Sequence, residues 1–131
     1  MKRLMVLFIV FTAYCYKSYG QKPAYFFDNE FGKWKNRNDY VNWKVFLKAD
    51  ASFLKSIKQV EYYLDPSFKI SKQIVRFSET NSNFTLCSNG WGEFTLRIKI
   101  VFINAKKPSL NEVYRLDLHS PAKKKVNYKC P

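Results

Sequence analysis

Five apolar side chains at every second position, Phe94, Leu96, Ile98, Ile100 and Phe102, constrain this chain more than any other feature. Thr95, Arg97, Lys99 and Val101 lie between them. A helix advances about 100° per residue and would scatter the five around its circumference, whereas an extended strand puts them all on one face. The stretch therefore predicts a strand with one face on a core. "VNWKVFLKA" at 41–49 alternates in the same way, with Trp43, Val45 and Leu47 against Lys44, Phe46 and Lys48. In "SIKQVEYYL" Val60, Tyr62 and Leu64 are in phase while Ile57 is slipped by one residue, which predicts a β-bulge near Gln59.

"KQIVRFS", "NFTLCS" and "VYRLDLH" read as further short strands, the last with Tyr114, Leu116 and Leu118 in phase. "DPSFK", "ETNS" and "NAKKPSLNE" supply the turn chemistry between them. With no convincing helical period, about seven short strands predict an all-β, immunoglobulin-like sandwich over residues 41–119. Residues 21–40 mix aromatic and charged side chains without a clean period and are read as a lead-in of no assigned type. Residues 120–131 are read as a basic, solvated C-terminal tail around the run Lys123 to Lys125.

The chain opens "MKRLMVLFIVFTAYCYKSYG", with Lys2 and Arg3 ahead of an apolar run and small Ser18 and Gly20 behind it. This is the pattern of a secretory signal peptide over 1–20, cleaved after Gly20. The expected destination is the periplasm or the outside of the cell. The run falls short of the roughly 20 residues a bilayer span needs, so membrane contact is expected only if the signal stays uncleaved as an anchor. Tyr14 ahead of Cys15 does not fit lipoprotein processing. Cleavage removes Lys2, Arg3 and Lys17 and no acid, so the formal charge falls from +13 to +10. A charge of that size attracts anionic partners and says nothing about fold. Cys87 and Cys130 remain after cleavage. An exported chain can oxidise them to a bridge, but a single link to a residue next to the C-terminus is not a disulfide scaffold, and Cys87 in its apolar pattern reads also as a small buried hydrophobe.

If consecutive strands are antiparallel, "DPSF" at 65–68 and "SNGWGE" at 88–93 share one end of the sandwich. Phe68 and Trp91 then face each other across a slot that admits a flat, polarisable group, with Ser67 and the backbone N–H groups between Gly90 and Gly92 as polar contacts. A second reading has the two rings closing the sandwich as an apolar cap, with Ser67 bonding its own turn. Both stand at this point.

"WKVFL" at 43–47, "YYLDPSFK" at 62–69 and "GWGEF" at 90–94 running into "TLRIKIVF" together resemble the YEATS domain, specifically its prokaryotic branch, over about residues 41–119. The resemblance implies an immunoglobulin-fold reader that clamps an acylated lysine between aromatic side chains from two loops. On that pattern Phe68 and Trp91 are the clamp, the Ser67 hydroxyl accepts from the lysine amide, and the Trp91 N–H donates to the acyl carbonyl. Gly90 and Gly92 let backbone approach the ligand. Many readers carry histidine two residues before that serine, where this chain has Asp65, and tyrosine where it has Trp91.

A non-enzymatic binding module for a protein or peptide ligand is the expected function. Its competitor is an exported structural or protein-interaction sandwich with no small-ligand pocket. His119 is the single histidine, with no serine–acid partner in view and no cluster at metal-ligand spacing, so neither catalysis nor a cofactor is expected. Glu93 and Asp65 form the one conceivable carboxylate pair, although Glu93 sits where a solvent-facing glutamate is ordinary. Nucleic acid is not an expected partner, because most aromatics fall at core phases and the chain is read as exported.

Overall fold

Phe94, Leu96, Ile98, Ile100 and Phe102 all turn inward and are buried, and the residues between them are exposed or half-exposed. The computed structural model describes residues 24–35 and 37–131; the expected signal peptide, 1–20, lies outside the described residues. Seven strands occur among them: β1 (Tyr25–Trp34), β2 (Arg37–Ala49), β3 (Ile57–Tyr63), β4 (Lys72–Arg76), β5 (Leu86–Gly90), β6 (Thr95–Phe102) and β7 (Leu110–Arg115). They form two antiparallel sheets, β1-β2-β5 and β4-β3-β6-β7. Relative to the constant-type immunoglobulin order, the fourth strand pairs with the third and not with the fifth. The bulge falls between Ile57 and Gln59, where the β3–β6 register slips.

Trp43, Val45 and Leu47 from β2 meet Val60 and Tyr62 from β3 and the β6 series in one core. Tyr62 is fully buried, and its hydroxyl donates to the Phe84 carbonyl at 2.6 Å, so its polar end is satisfied at no loss of packing. Phe84 itself adopts a φ of 54°, a left-handed conformation rare for a bulky residue, as the chain turns into β5.

Four features differ from the expectation. The untyped 21–40 lead-in contains β1, which pairs with β2 from Tyr25↔Ala49 onward. A five-residue helix, α1 (Ala51–Lys55), follows β2; the Asp50 carboxylate caps it by accepting the Phe53 N–H at 2.8 Å. One and a half turns are too short to show a period. The strand drawn from "NFTLCS" begins at Leu86 and runs on through Gly90, so Ser88 to Gly90 are strand and the turn starts at Trp91.

The fourth concerns the basic tail, which is not a solvated end. After a short 3₁₀ turn at Pro121–Lys123, the chain runs back across the outer face of the β1-β2-β5 sheet. The Lys125 N–H donates to the Phe31 carbonyl at 2.8 Å, the Lys44 ammonium donates to the Lys129 carbonyl at 2.9 Å, and Cys130 is disulfide-bonded to Cys87 of β5. Tyr128 packs so closely on Gly32 that a Cβ there would lie 2.4 Å from the tyrosine Cβ. Lys123 pairs with Asp28, and Lys125 with Glu30 at 3.9 Å. Two of the three cations expected in solvent, Lys123 and Lys125, are tied to β1 carboxylates.

Candidate ligand-binding cleft

Loop 64–71 is closed at its base by the Leu64 N–H donating to the Ser71 carbonyl at 2.7 Å. Within it, the Asp65 side chain accepts the Ser67 N–H at 2.9 Å and the Asp65 carbonyl accepts the Phe68 N–H at 3.0 Å. That Asx-type turn is ordinary chemistry for "DPS". The N–H and hydroxyl of Ser67 hold the Asp65 carboxyl below the usual carboxylate range. The turn throws the Phe68 ring inward, where it meets Trp43 edge-on at 6.3 Å and 83°, and Phe94 at 5.2 Å with a tilt of 49°. Phe68 is thus half-buried and continuous with the core.

The second loop arrives from the other sheet. Gly90 ends β5 opposite Val41, and the point its Cβ would occupy lies 3.7 Å from the Phe68 Cζ and 3.8 Å from the Trp43 Nε1. Backbone therefore rests directly beside the two rings. Trp91 follows and projects outward, 78% exposed. Around Gly92 there is open space, nothing lying within 4 Å of where a Cβ would be. Between the loops lies a cleft of about 500 Å³ bordered by Asp65, Ser67, Phe68, Gly90, Trp91 and Gly92.

All six residues named from the sequence line this one cleft. The two readings left open divide between the two rings: Phe68 is built into the core as a cap is, while Trp91 plugs nothing. The cleft has a phenyl floor and an indole standing at its rim. Tyr40, Lys69, Ser88, Asn89 and Phe94, not singled out as site residues from the sequence, complete the lining together with Glu93. The Tyr40 hydroxyl donates to the Asn89 side-chain oxygen at 3.0 Å. That contact joins residues 49 apart, and no local pattern announces it.

His119, for which the sequence offered no serine–acid partner, and Glu93, read as a solvent-facing glutamate, bond to each other through the histidine Nδ1. Glu93 also accepts the Leu118 N–H at 2.8 Å, and these contacts, the backbone one first, hold its carboxyl below the usual range. Asp117, accepting from the Ser120 hydroxyl, the Ser120 N–H and the His119 N–H, is pushed down to about 2. Glu93 and Asp65 line the same cleft, yet each carboxylate is engaged by hydrogen bonds that shape a loop. Among the described residues no group of three or more His, Cys, Asp or Glu side chains is placed to hold a metal ion.

A β-sandwich that presents one embedded and one projecting aromatic ring over an open cleft, with hydrogen-bonding backbone between them, is a binding module. More specifically, the prokaryotic YEATS domain matches residues 41–111, more than half of the sequence, and the chain belongs to that family. Among solved structures, that of the yeast AF-9 homolog protein Yaf9 is 28% identical, covers 72% of this chain and 69% of its own, and superposes with a TM-score of 0.56. The Yaf9 YEATS domain bound to H3K27ac gives 23% identity, coverage of 79% and 82%, and a TM-score of 0.56. The same domain recognising an H3K122suc peptide gives 23%, 76% and 80%, and 0.55. At that identity the last two speak for the fold. No curated protein matches the chain.

Proposed function

We propose that the cleft is a reader site for a protein or peptide carrying an acylated lysine, and that the chain acts by binding and not by turnover. The observation that carries this reading is the convergence of Phe68, Gly90 and the projecting Trp91 on one open cleft. Similarity to YEATS structures holding acetylated and succinylated histone peptides supports the ligand class. The acyl group enters over Phe68, and Trp91 covers it from the rim. Because the Ser67 hydroxyl is engaged by Asp65, its oxygen keeps lone pairs free to accept the lysine amide N–H. The Trp91 N–H donates to the acyl carbonyl, and the absence of a side chain at Gly92 leaves room for that approach.

The amino-terminal segment directs the chain out of the cytoplasm, so the ligand in this reading is an exported or envelope polypeptide and not chromatin. Calorimetric titration with acetyl-, crotonyl- and succinyl-lysine peptides, against the unmodified peptide, tests the ligand class. Preferential binding of one acylated peptide, lost in Trp91→Ala, is expected. Equal affinity for all four, or binding indifferent to Trp91→Ala, overturns the reading and leaves a sandwich without a small-ligand site. Detection of the chain in a periplasmic or culture-supernatant fraction tests export; retention in the cytoplasm overturns it.

A further inference from the structure

The outer face of the β4-β3-β6-β7 sheet takes no part in the cleft. Side chains directly opposite each other in antiparallel strands share a face, so the register aligns Lys72, Tyr63, Arg97 and Val113 in one row and Ile74, Glu61, Lys99 and Asn111 in the next. Arg76 on β4 and Arg115 on β7 extend the same face. Five cations stand here with one acid, Glu61, which is buried and pairs with Lys72 at 3.1 Å. Among the described residues Arg76, Arg97 and Arg115 meet no carboxylate, and Lys99, opposite Glu61, helps to hold that carboxyl down electrostatically without reaching ion-pair distance. Glu112 is no exception, because it lies opposite inward-facing Ile98 and accepts from the Tyr25 hydroxyl.

The other sheet shows that this is not a general property of a basic chain. Lys44, Lys48, Lys123 and Lys125 all meet Asp28 or Glu30. Cations on edge strands commonly block strand addition, which accounts for Lys72, Arg76 and Arg115. It does not account for Arg97 and Lys99 on the central strand β6. Two aliphatic side chains flank them in solvent, Ile74 at 45% exposure and Val113 at 70%. A shallow depression of about 500 Å³ lies beside Val113, lined by Tyr63, Arg97, Ile98, Lys99, Asn111 and Val113, with the Glu112 carboxylate, held by the Tyr25 hydroxyl, at its border.

We infer that this face docks the protein on an anionic phospholipid bilayer. Unpaired cations supply attraction to the lipid phosphates. The broad sheet face suits a planar surface, and Ile74 and Val113 enter the interface between headgroups. The one ring on this face, Tyr63, is covered by Lys72 and Arg97, and the side chains left exposed beside the cations are aliphatic, which distinguishes this surface from one built to stack the bases of nucleic acid. The expected membrane contact was confined to the leader; the sheet face supplies a second contact that leaves the cleft at the end of the sandwich open.

The test is co-sedimentation of the full chain with vesicles of phosphatidylglycerol and phosphatidylcholine, or of phosphatidylcholine alone, in low and high salt. Wild type and variants carry the same leader, so their difference reports on the face. At about fivefold per cation, R97S/K99S is expected to weaken partitioning onto anionic vesicles by about 25-fold. Lys48→Ser, on the strapped sheet, is expected to change it little. Ile74→Ser with Val113→Ser is expected to lower vesicle binding and leave any binding to duplex DNA unchanged. Should R97S/K99S fail to melt cooperatively, R76S/R115S on the edge strands takes its place. Equal partitioning of wild type and the charge variant onto anionic vesicles overturns the inference, as does DNA binding tighter than vesicle binding and indifferent to the two aliphatic substitutions.

Discussion

Phe68 and Trp91 border the same cleft, yet they stand in opposite relations to the core. Phe68 packs on Trp43 and Phe94 and is held from behind by the Asp65 turn. Trp91 leaves the end of β5 into solvent, 78% exposed at the cleft rim. The difference separates what holds the fold together from what the fold presents. A ring that packs on the core gives the cleft a fixed floor, whereas a ring that costs the fold nothing to expose is free to cover a ligand.

The firmness of β5 is the first way to sharpen this contrast. Cys87 lies four residues before Trp91 and is bonded to Cys130 across a sequence separation of 43, so the strand carrying the rim is tied to the strap behind it. Chain-entropy reasoning for a loop of that size gives about 4 kcal/mol. C87S/C130S is expected to lose about that much in urea unfolding, more than any substitution at the cleft itself. A loss below about 1 kcal/mol would mean that the strap contacts at Phe31 and Lys44 hold the segment unaided.

Phe68→Ala comes next. Emptying a buried aromatic site costs about 3 to 5 kcal/mol, and a half-buried ring belongs near the lower end. A loss of about 3 kcal/mol is expected on that scale, together with loss of acyl-peptide binding. If stability is unchanged while binding disappears, Phe68 is a presented ring like Trp91 and the contrast collapses.

Trp91→Ala is the counterpart. At 78% exposure the indole contributes little to folding, so a change within about 0.5 kcal/mol is expected, with acyl-peptide binding abolished. A loss of several kcal/mol would show that the ring packs in solution.

The same contrast explains what was legible in the chain. β6 announced itself because its two faces meet different media, core on one side and water on the other. β1 did not, because the C-terminal strap covers part of its outer face: Phe31 and Gly32 are both buried, and the period-two signal is lost. Asp65, Ser67, Phe68 and the Gly90–Gly92 segment were readable because turn chemistry is local and strand direction places the loops. Glu93–His119, Tyr40–Asn89 and the strap are contacts between residues 26 or more apart, and nothing in the intervening residues encodes them.

The smallest expected effect concerns how firmly the Phe68 side of the cleft is set. Asp65 is fully exposed and its carboxyl is depressed by bonds from Ser67. A group whose pKa is lower in the folded state contributes stability that is present above its unfolded value, near 3.9, and is lost as pH falls through the lower folded value. Binding and melting temperature are therefore expected to be flat from neutral pH to about 4, as far as this group is concerned, and to decline below it. Charge and turn are separable at this position, because an asparagine side chain still accepts the Ser67 N–H. If Asp65 serves only to set the turn, Asp65→Asn keeps acyl-peptide affinity and Asp65→Ala loses a few-fold. Equal losses in both would make the negative charge itself a contact for a cationic ligand, and the turn beneath Phe68 would be secondary to the charge at the cleft mouth.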